Sequence, residues 1–198
     1  MREDTPELVC DFLGGAVGHR FRTEGGRGNA LARACGFSKG ATPSVIDATA
    51  GRGRDAFLLA GLGAQVTLIE RSPQVHAALA AGLAAARADA KAAGVVERMT
   101  LLLGDSRELL RGLSAEVVLV DPMHPPRGKA ALVKQGMRTL RAVVGADLDS
   151  LELMQAALAC ARQRVVLKWP LRAAAMAGLK PPSHQITGKT TRYDVFVK

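Results

Sequence analysis

Five short apolar runs, spaced so that a helix fits between most of them, constrain this chain more than any other feature of its sequence. They are Ser44–Ala48, Gln65–Ile69, Met99–Leu103, Glu116–Val120 and Arg164–Lys168. Their apolar residues are successive rather than alternate, the pattern of strands covered on both faces, as in a parallel sheet. Asp55–Leu62 follows the first run as a helix, and Ser72 with Pro73 supplies an N-cap and a first-turn proline for a second helix running to about Ala93. Arg107–Leu113, Lys129–Val144 and Ser150–Arg162 provide the remaining helical segments. At the end the pattern changes. Gln185–Thr187, Gly188-Lys189 and Arg192–Val197 alternate with no room for a helix, so they predict a β-hairpin. The expected fold is α/β: a doubly wound, mostly parallel seven-stranded sheet closed by a C-terminal antiparallel hairpin.

A chain of 198 residues, 48% hydrophobic and 23% charged, suffices for one domain with a sizeable core. No linker or repeat divides it, so residues 1–198 are read as a single domain, with 1–40 covering a Rossmann-like core at 41–198. Cys10, Cys35 and Cys160 are odd in number and far apart, which argues against a disulfide framework and a CxxC metal site and predicts no metal. No run reaches the roughly 18 apolar residues of a membrane span, so a cytoplasmic chain without membrane partners is expected. Residues 121–198 carry thirteen Lys and Arg against five Asp and Glu, which places +8 of the net +9 there. Such a bias suits a polyanionic partner; a solvated basic surface is the simpler alternative.

The first run leads into Asp47-Ala-Thr-Ala-Gly51-Arg-Gly53-Arg-Asp55-Ala56, a strand, a glycine turn and a helix start. Gly51 and Gly53 permit positive φ and close approach of a ligand at the carboxyl edge of the sheet. With Ala56 they also satisfy G-x-G-x-x-A, so a dinucleotide-binding oxidoreductase is one reading. Glu70 ends the second strand 19 positions after Gly51, where an acidic side chain can accept from both ribose hydroxyls or simply cap the helix that begins at Ser72. The third strand ends in Gly104-Asp105-Ser106-Arg107, whose polar side chains either reach an adenine or cap the next helix.

The fourth strand delivers Asp121-Pro122-Met123-His124-Pro125-Pro126. It resembles the (D/N)-P-P-(F/Y/W) motif of amino-group methyltransferases, with methionine at the third place and histidine at the aromatic one. An aryl amine has its lone pair drawn into the ring and attacks poorly until acceptors hold its hydrogens. The Asp121 carboxylate and the Pro122 carbonyl would be those acceptors, and His124 would stack on or hydrogen-bond to the target base. The alternative is a rigid proline turn after a strand. Beyond it, Arg127, Lys129, Lys134, Arg138 and Arg141 run without an intervening acid, and Lys134, Arg138 and Arg141 share one face of a helix. That face would hold phosphates beside the reacting base, or would merely be solvated.

From Asp11 nearly to its end the chain resembles the RsmJ-type small-subunit ribosomal RNA guanine-N2 methyltransferases. The resemblance rests on Asp11-Phe-Leu-Gly-Gly-Ala-Val-Gly-His-Arg20, Gly25-Gly-Arg-Gly28, Asp47–Asp55, Glu70-Arg71, Asp121-Pro-Met123, Ala131-Leu-Val-Lys134 and Met137-Arg138. It implies a class I fold, S-adenosylmethionine (SAM) as methyl donor with S-adenosylhomocysteine as product, and methylation of one guanine amine in 16S ribosomal RNA, free or in the small subunit. The cofactor contacts it implies are Arg54, Asp55, Glu70, Arg71, Ser106, Arg107 and Asp121, beside the Gly51 turn. Methylation of another base amine or of a protein glutamine, an NAD-dependent oxidoreductase, and a non-catalytic RNA-binding protein are the competing readings.

Overall fold

The computed structural model describes residues 8–14, 26–38, 40–122 and 149–198. Among these residues seven strands form one sheet: β1 Val45–Asp47, β2 Val66–Glu70, β3 Met99–Leu103, β4 Ala115–Val120, β5 Ala161–Pro170, β6 His184–Thr187 and β7 Thr191–Val197. Their order is β3-β2-β1-β4-β5-β7-β6. β1 pairs in parallel with β2 and β4, β2 with β3, and β4 with β5, while β7 runs antiparallel to both β5 and β6. This is the doubly wound sheet and closing hairpin expected from the apolar runs.

Among the described residues the helices are α1 Ala30–Ala34, α2 Arg54–Gly61, α3 Pro73–Arg87, α4 Ala93–Val96, α5 Ser106–Leu109 and α6 Ser150–Cys160, with a 3-10 turn at Leu110–Gly112 after α5. Both faces of the central strands are covered. Val117 and Leu119 pack with Phe57, Leu59 and Leu79 on one side, and Val118 and Val120 pack with Leu153 and Met154 on the other. Alternate residues of one strand thus feed two separate cores, and each buried Val or Leu contributes roughly 1.5–3 kcal/mol.

Ser72 caps α3 as its residue type predicts, its hydroxyl accepting from the Val75 N–H, and Pro73 occupies the first turn. α3 nevertheless ends at Arg87, short of Ala93. The Asp89 carboxylate accepts the N–H groups of Lys91 and Ala92, offering the backbone an alternative to the helical ladder that the surrounding alanines cannot outbid. β5 is longer than its apolar centre. It pairs with β7 from Arg164 opposite Val197 to Pro170 opposite Thr191, so backbone hydrogen bonds carry polar residues that the hydrophobic pattern leaves out. The expected helix at Lys129–Val144 lies outside the described residues.

Candidate active site

β1 has β2 on one side and β4 on the other, so the strand order reverses at its carboxyl end, where open α/β sheets bind their ligands. Hydrogen bonds tie the strand ends together there. The Asp121 N–H donates to Thr49 Oγ1 at 2.7 Å, the Ser106 hydroxyl donates to the Ala48 carbonyl at 2.6 Å, and the Ala50 N–H donates to the Ile69 carbonyl at 3.0 Å.

Glu70 is buried at the end of β2. Its Oε2 accepts the Gly51 N–H at 2.9 Å and its Oε1 accepts the Ser72 N–H at 2.8 Å. One carboxylate therefore braces the glycine turn and caps the chain entering α3. Each oxygen has two lone pairs, so this bracing is compatible with ribose hydroxyls as further donors. Gly51 and Gly53 both have positive φ, 51° and 66°. Gly53 owes its identity to packing as well: a Cβ there would stand 2.7 Å from Leu79 Cδ1 and 3.1 Å from Phe12 Cζ. The positive φ expected of Gly53 is present, and on the side where a Cβ would point it is protein side chains that come close. Phe12 stacks on Phe57 with centroids 4.9 Å apart, and the Arg52 guanidinium donates to the Val9 carbonyl, which seats residues 8–14 beside the turn.

The other sequence-derived candidates divide by their surroundings. Asp55 in the first turn of α2 and Asp121 after β4 meet at one cation: Lys168 Nζ donates to Asp55 Oδ2 at 2.6 Å and to Asp121 Oδ2 at 2.7 Å. Arg71 and Arg107 instead join a network at the start of α6. Arg71 pairs with Asp149 at 3.1 Å, and Arg107 pairs with Asp105, Asp149 and Glu152 at 2.7, 3.2 and 2.5 Å. Asp105 also caps α5 through the Arg107 N–H, and the Arg107 guanidinium holds its carboxyl below the usual range. Arg54 is exposed on the first turn of α2, while Pro122 is buried beside Asp121. His124, Arg127, Lys129, Lys134, Arg138 and Arg141 lie outside the described residues.

Lys168 escaped the motif reading, and Asp47 and Thr49 entered it only as members of the strand and glycine turn, with no role of their own. Lys168 carried a signal, since it interrupts an apolar run at the carboxyl edge of a buried strand. Thr49 and Asp47 carried none, because their roles are set by distances across strands. Asp47 is 3% exposed; burial and the nearby Asp55 charge push its carboxyl up to about 7, against the Thr49 N–H that favours the anion. Burial would depress the Lys168 ammonium, but the Asp55 and Asp121 carboxylates outweigh it and raise its pKa above the ordinary lysine range. Two carboxylates thus hold one ammonium, with the Asp47 carboxyl nearby, an acceptor set whose net negative charge favours cations.

A family model described as "Putative SAM-dependent methyltransferase" matches residues 2–198. The chain is 66% identical over 196 residues to the Ribosomal RNA small subunit methyltransferase J of Brucella anthropi, spanning 98% of this chain and 96% of the relative. It is 63% identical over 198 residues to the protein of the same name from Agrobacterium fabrum, spanning 100% and 95%. A solved SAM-dependent methyltransferase from Neisseria gonorrhoeae matches with a TM-score of 0.72 at 31% identity, over 95% of this chain and 72% of that one.

Proposed function

The chain belongs to the SAM-dependent methyltransferase family, and from that premise we propose that it methylates the exocyclic N2 amine of a guanine in 16S ribosomal RNA. The observation that carries the reading is the placement of Asp121-Pro122 at the reversal of strand order, one bridging lysine away from the helix that follows the Gly51 turn. The residues present fit the cofactor. Glu70 offers acceptor-only oxygens suited to ribose hydroxyls, and the excess of carboxylate over ammonium suits a cationic sulfur. Such a donor supplies a methyl group whose C–S bonding pair stays with sulfur as the N–C bond forms, which gives S-adenosylhomocysteine.

The rest falls to the chain. Asp121 accepts an N–H of the target amine, which leaves the nitrogen lone pair less committed to the ring, and it stabilises the positive nitrogen formed on transfer before taking its proton. Thr49 fixes the backbone from which this carboxylate projects. The Pro122 carbonyl accepts the second N–H, and His124 packs on the extruded base. Gly51, Arg54, Asp55, Glu70, Arg71, Ser106 and Arg107 form the cofactor side: Glu70 by direct contact, Asp55 and Ser106 by holding the strand ends, Arg71 and Arg107 through the network at α6. The basic residues Arg127, Lys129, Lys134 and Arg138 hold RNA phosphates. No helix among the described residues is long and apolar enough to cross a membrane, and the cytoplasm is where the ribosomal substrate would be met.

Calorimetry with SAM and incubation of labelled SAM with undermethylated small-subunit RNA test the reading together. We expect SAM binding, label in the RNA, and N2-methylguanine on nucleoside analysis. A different methylated nucleoside would keep the enzyme class and replace the target; label in protein glutamine would remove RNA as substrate. Asp121→Asn should still bind SAM, more weakly because one carboxylate facing the cationic sulfur is lost, while kcat at saturating SAM falls by about 10²–10³-fold, the usual loss when one preorganised polar group at developing charge is removed.

A further inference from the structure

Lys168 sits among Val165, Val166, Leu167 and Trp169, all of them buried, and nothing in the sheet calls for a charge there. The two ion pairs are only partly buried, with the Lys168, Asp55 and Asp121 side chains 22%, 11% and 42% exposed, and a pair drawn out of water gains little over apolar side chains of the same volume; replacing one is often neutral or stabilising. Stability alone therefore leaves this lysine unexplained, while its geometry points to the site. Its two partners lie on different elements: Asp55 opens α2 directly after the glycine turn, and Asp121 follows β4. The Asp121 backbone is held separately by Thr49. The residue is thus fixed at its N–H by Thr49, in the turn just after β1, and at its carboxylate by Lys168 of β5, so the direction of the carboxylate is set from two sides.

We propose that Lys168 is a positioning residue that aims the Asp121 carboxylate at the target amine, with Asp55 as its anchor. This rests on the function proposed above. A carboxylate oxygen accepts more than one hydrogen bond, so the bridge orients Asp121 without exhausting it. Among the described residues the charged groups around the ammonium are Asp47 on β1, Asp55 on α2 and Asp121 after β4; Tyr193 faces Lys168 across the β5–β7 pair, and Cys35 stands near Asp47 and Asp55. Without the ammonium these carboxylates repel one another, and Asp121 takes up a proton at higher pH.

The test compares wild type with Lys168→Gln, which keeps a donor without the charge, and with Lys168→Arg and Lys168→Met. Labelled methyl transfer to undermethylated small-subunit RNA, SAM affinity by calorimetry and thermal midpoint are measured for each. In Lys168→Gln we expect kcat about 10²-fold lower, the scale of a misplacement of about 1 Å, with SAM affinity and the KM for RNA within about threefold. The acid limb of the kcat profile should move to higher pH in Lys168→Gln and Lys168→Met, and Lys168→Arg should recover at least about tenfold of the loss. A folded Lys168→Gln with kcat within about threefold of wild type overturns the proposal. So does a loss that tracks the folded fraction while the acid limb stays in place, which would make the lysine merely structural. Wild type that binds SAM but labels no RNA sinks the RNA reading, and this proposal with it; equal labelling by wild type and variant sinks this proposal alone.

Discussion

Asp47 shows how one residue's surroundings become a property of the whole chain. Its carboxyl titrates near 4 when unfolded and at about 7 in the fold, where burial and the Asp55 charge oppose ionisation. A carboxyl raised by folding costs nothing while protonated in both states, and it penalises the folded state increasingly as pH climbs from about 4 to about 7. Each tenfold change in proton affinity is worth about 1.4 kcal/mol, so the penalty above neutrality reaches at most about 4 kcal/mol. Asp47→Asn keeps an oxygen for the Thr49 N–H and carries no charge. Its stability advantage over wild type, read by urea unfolding, should be absent near pH 4, open up to about pH 7 and then stay level; parallel curves across that range would refute the assignment. None of this is legible in the sequence, where Asp47 is simply the residue before a glycine turn. The placement of Glu70 at the end of β2 was legible, because its distance from Gly51 along the chain reflects a fixed strand-helix-strand geometry.

At the scale of elements, α3 and α4 provide a paired test of propensity against packing. Replacing a helical glycine by alanine gains about 0.5–1 kcal/mol when the site is open. A Cβ added at Gly94 in α4 would meet nothing within 4 Å, so Gly94→Ala should stabilise by that amount. Gly82 in α3 differs, because a Cβ would stand 2.2 Å from the Cys10 carbonyl oxygen and 2.9 Å from the Cys10 Cβ. Backbone must then move, at a typical cost of about 1–3 kcal/mol, so Gly82→Ala should destabilise despite its better propensity. Residues 8–14 would be the part displaced, and since Arg52 links them to the glycine turn, SAM binding should weaken as well. Equal effects of the two substitutions in denaturant titrations would show that residues 8–14 do not pack on α3. The alanine-rich stretch illustrates the limit of propensity from the other side: the pattern predicted a helix through Ala93, and the Asp89 side chain ended it at Arg87.

Over the whole molecule, charge is distributed so that nearly all the positive excess falls in residues 121–198. If Arg127, Lys129, Lys134 and Arg138 each neutralise one phosphate, the logarithm of RNA affinity should fall with the logarithm of salt with a slope of about −3. Lys134→Ala with Arg138→Ala should flatten that slope by about 1.4 and leave SAM affinity unchanged, as titrations at several salt concentrations would show. The sequence by itself determined the α/β class and the strand ends on which Gly51, Glu70, Asp105 and Asp121 lie. It could do so because hydrophobic period, turn residues and motif spacing are local, and because the crossover rules leave a short list of sheets that such elements can build. Only the tertiary structure decided that Lys168 from β5 stands between Asp55 and Asp121, 113 and 47 residues away, that Thr49 holds the Asp121 amide, and that Leu79 and Phe12 fill the space beside Gly53. Those contacts join elements through side-chain reach across the sheet, and no spacing along the chain records which residues will meet once the strands are laid side by side.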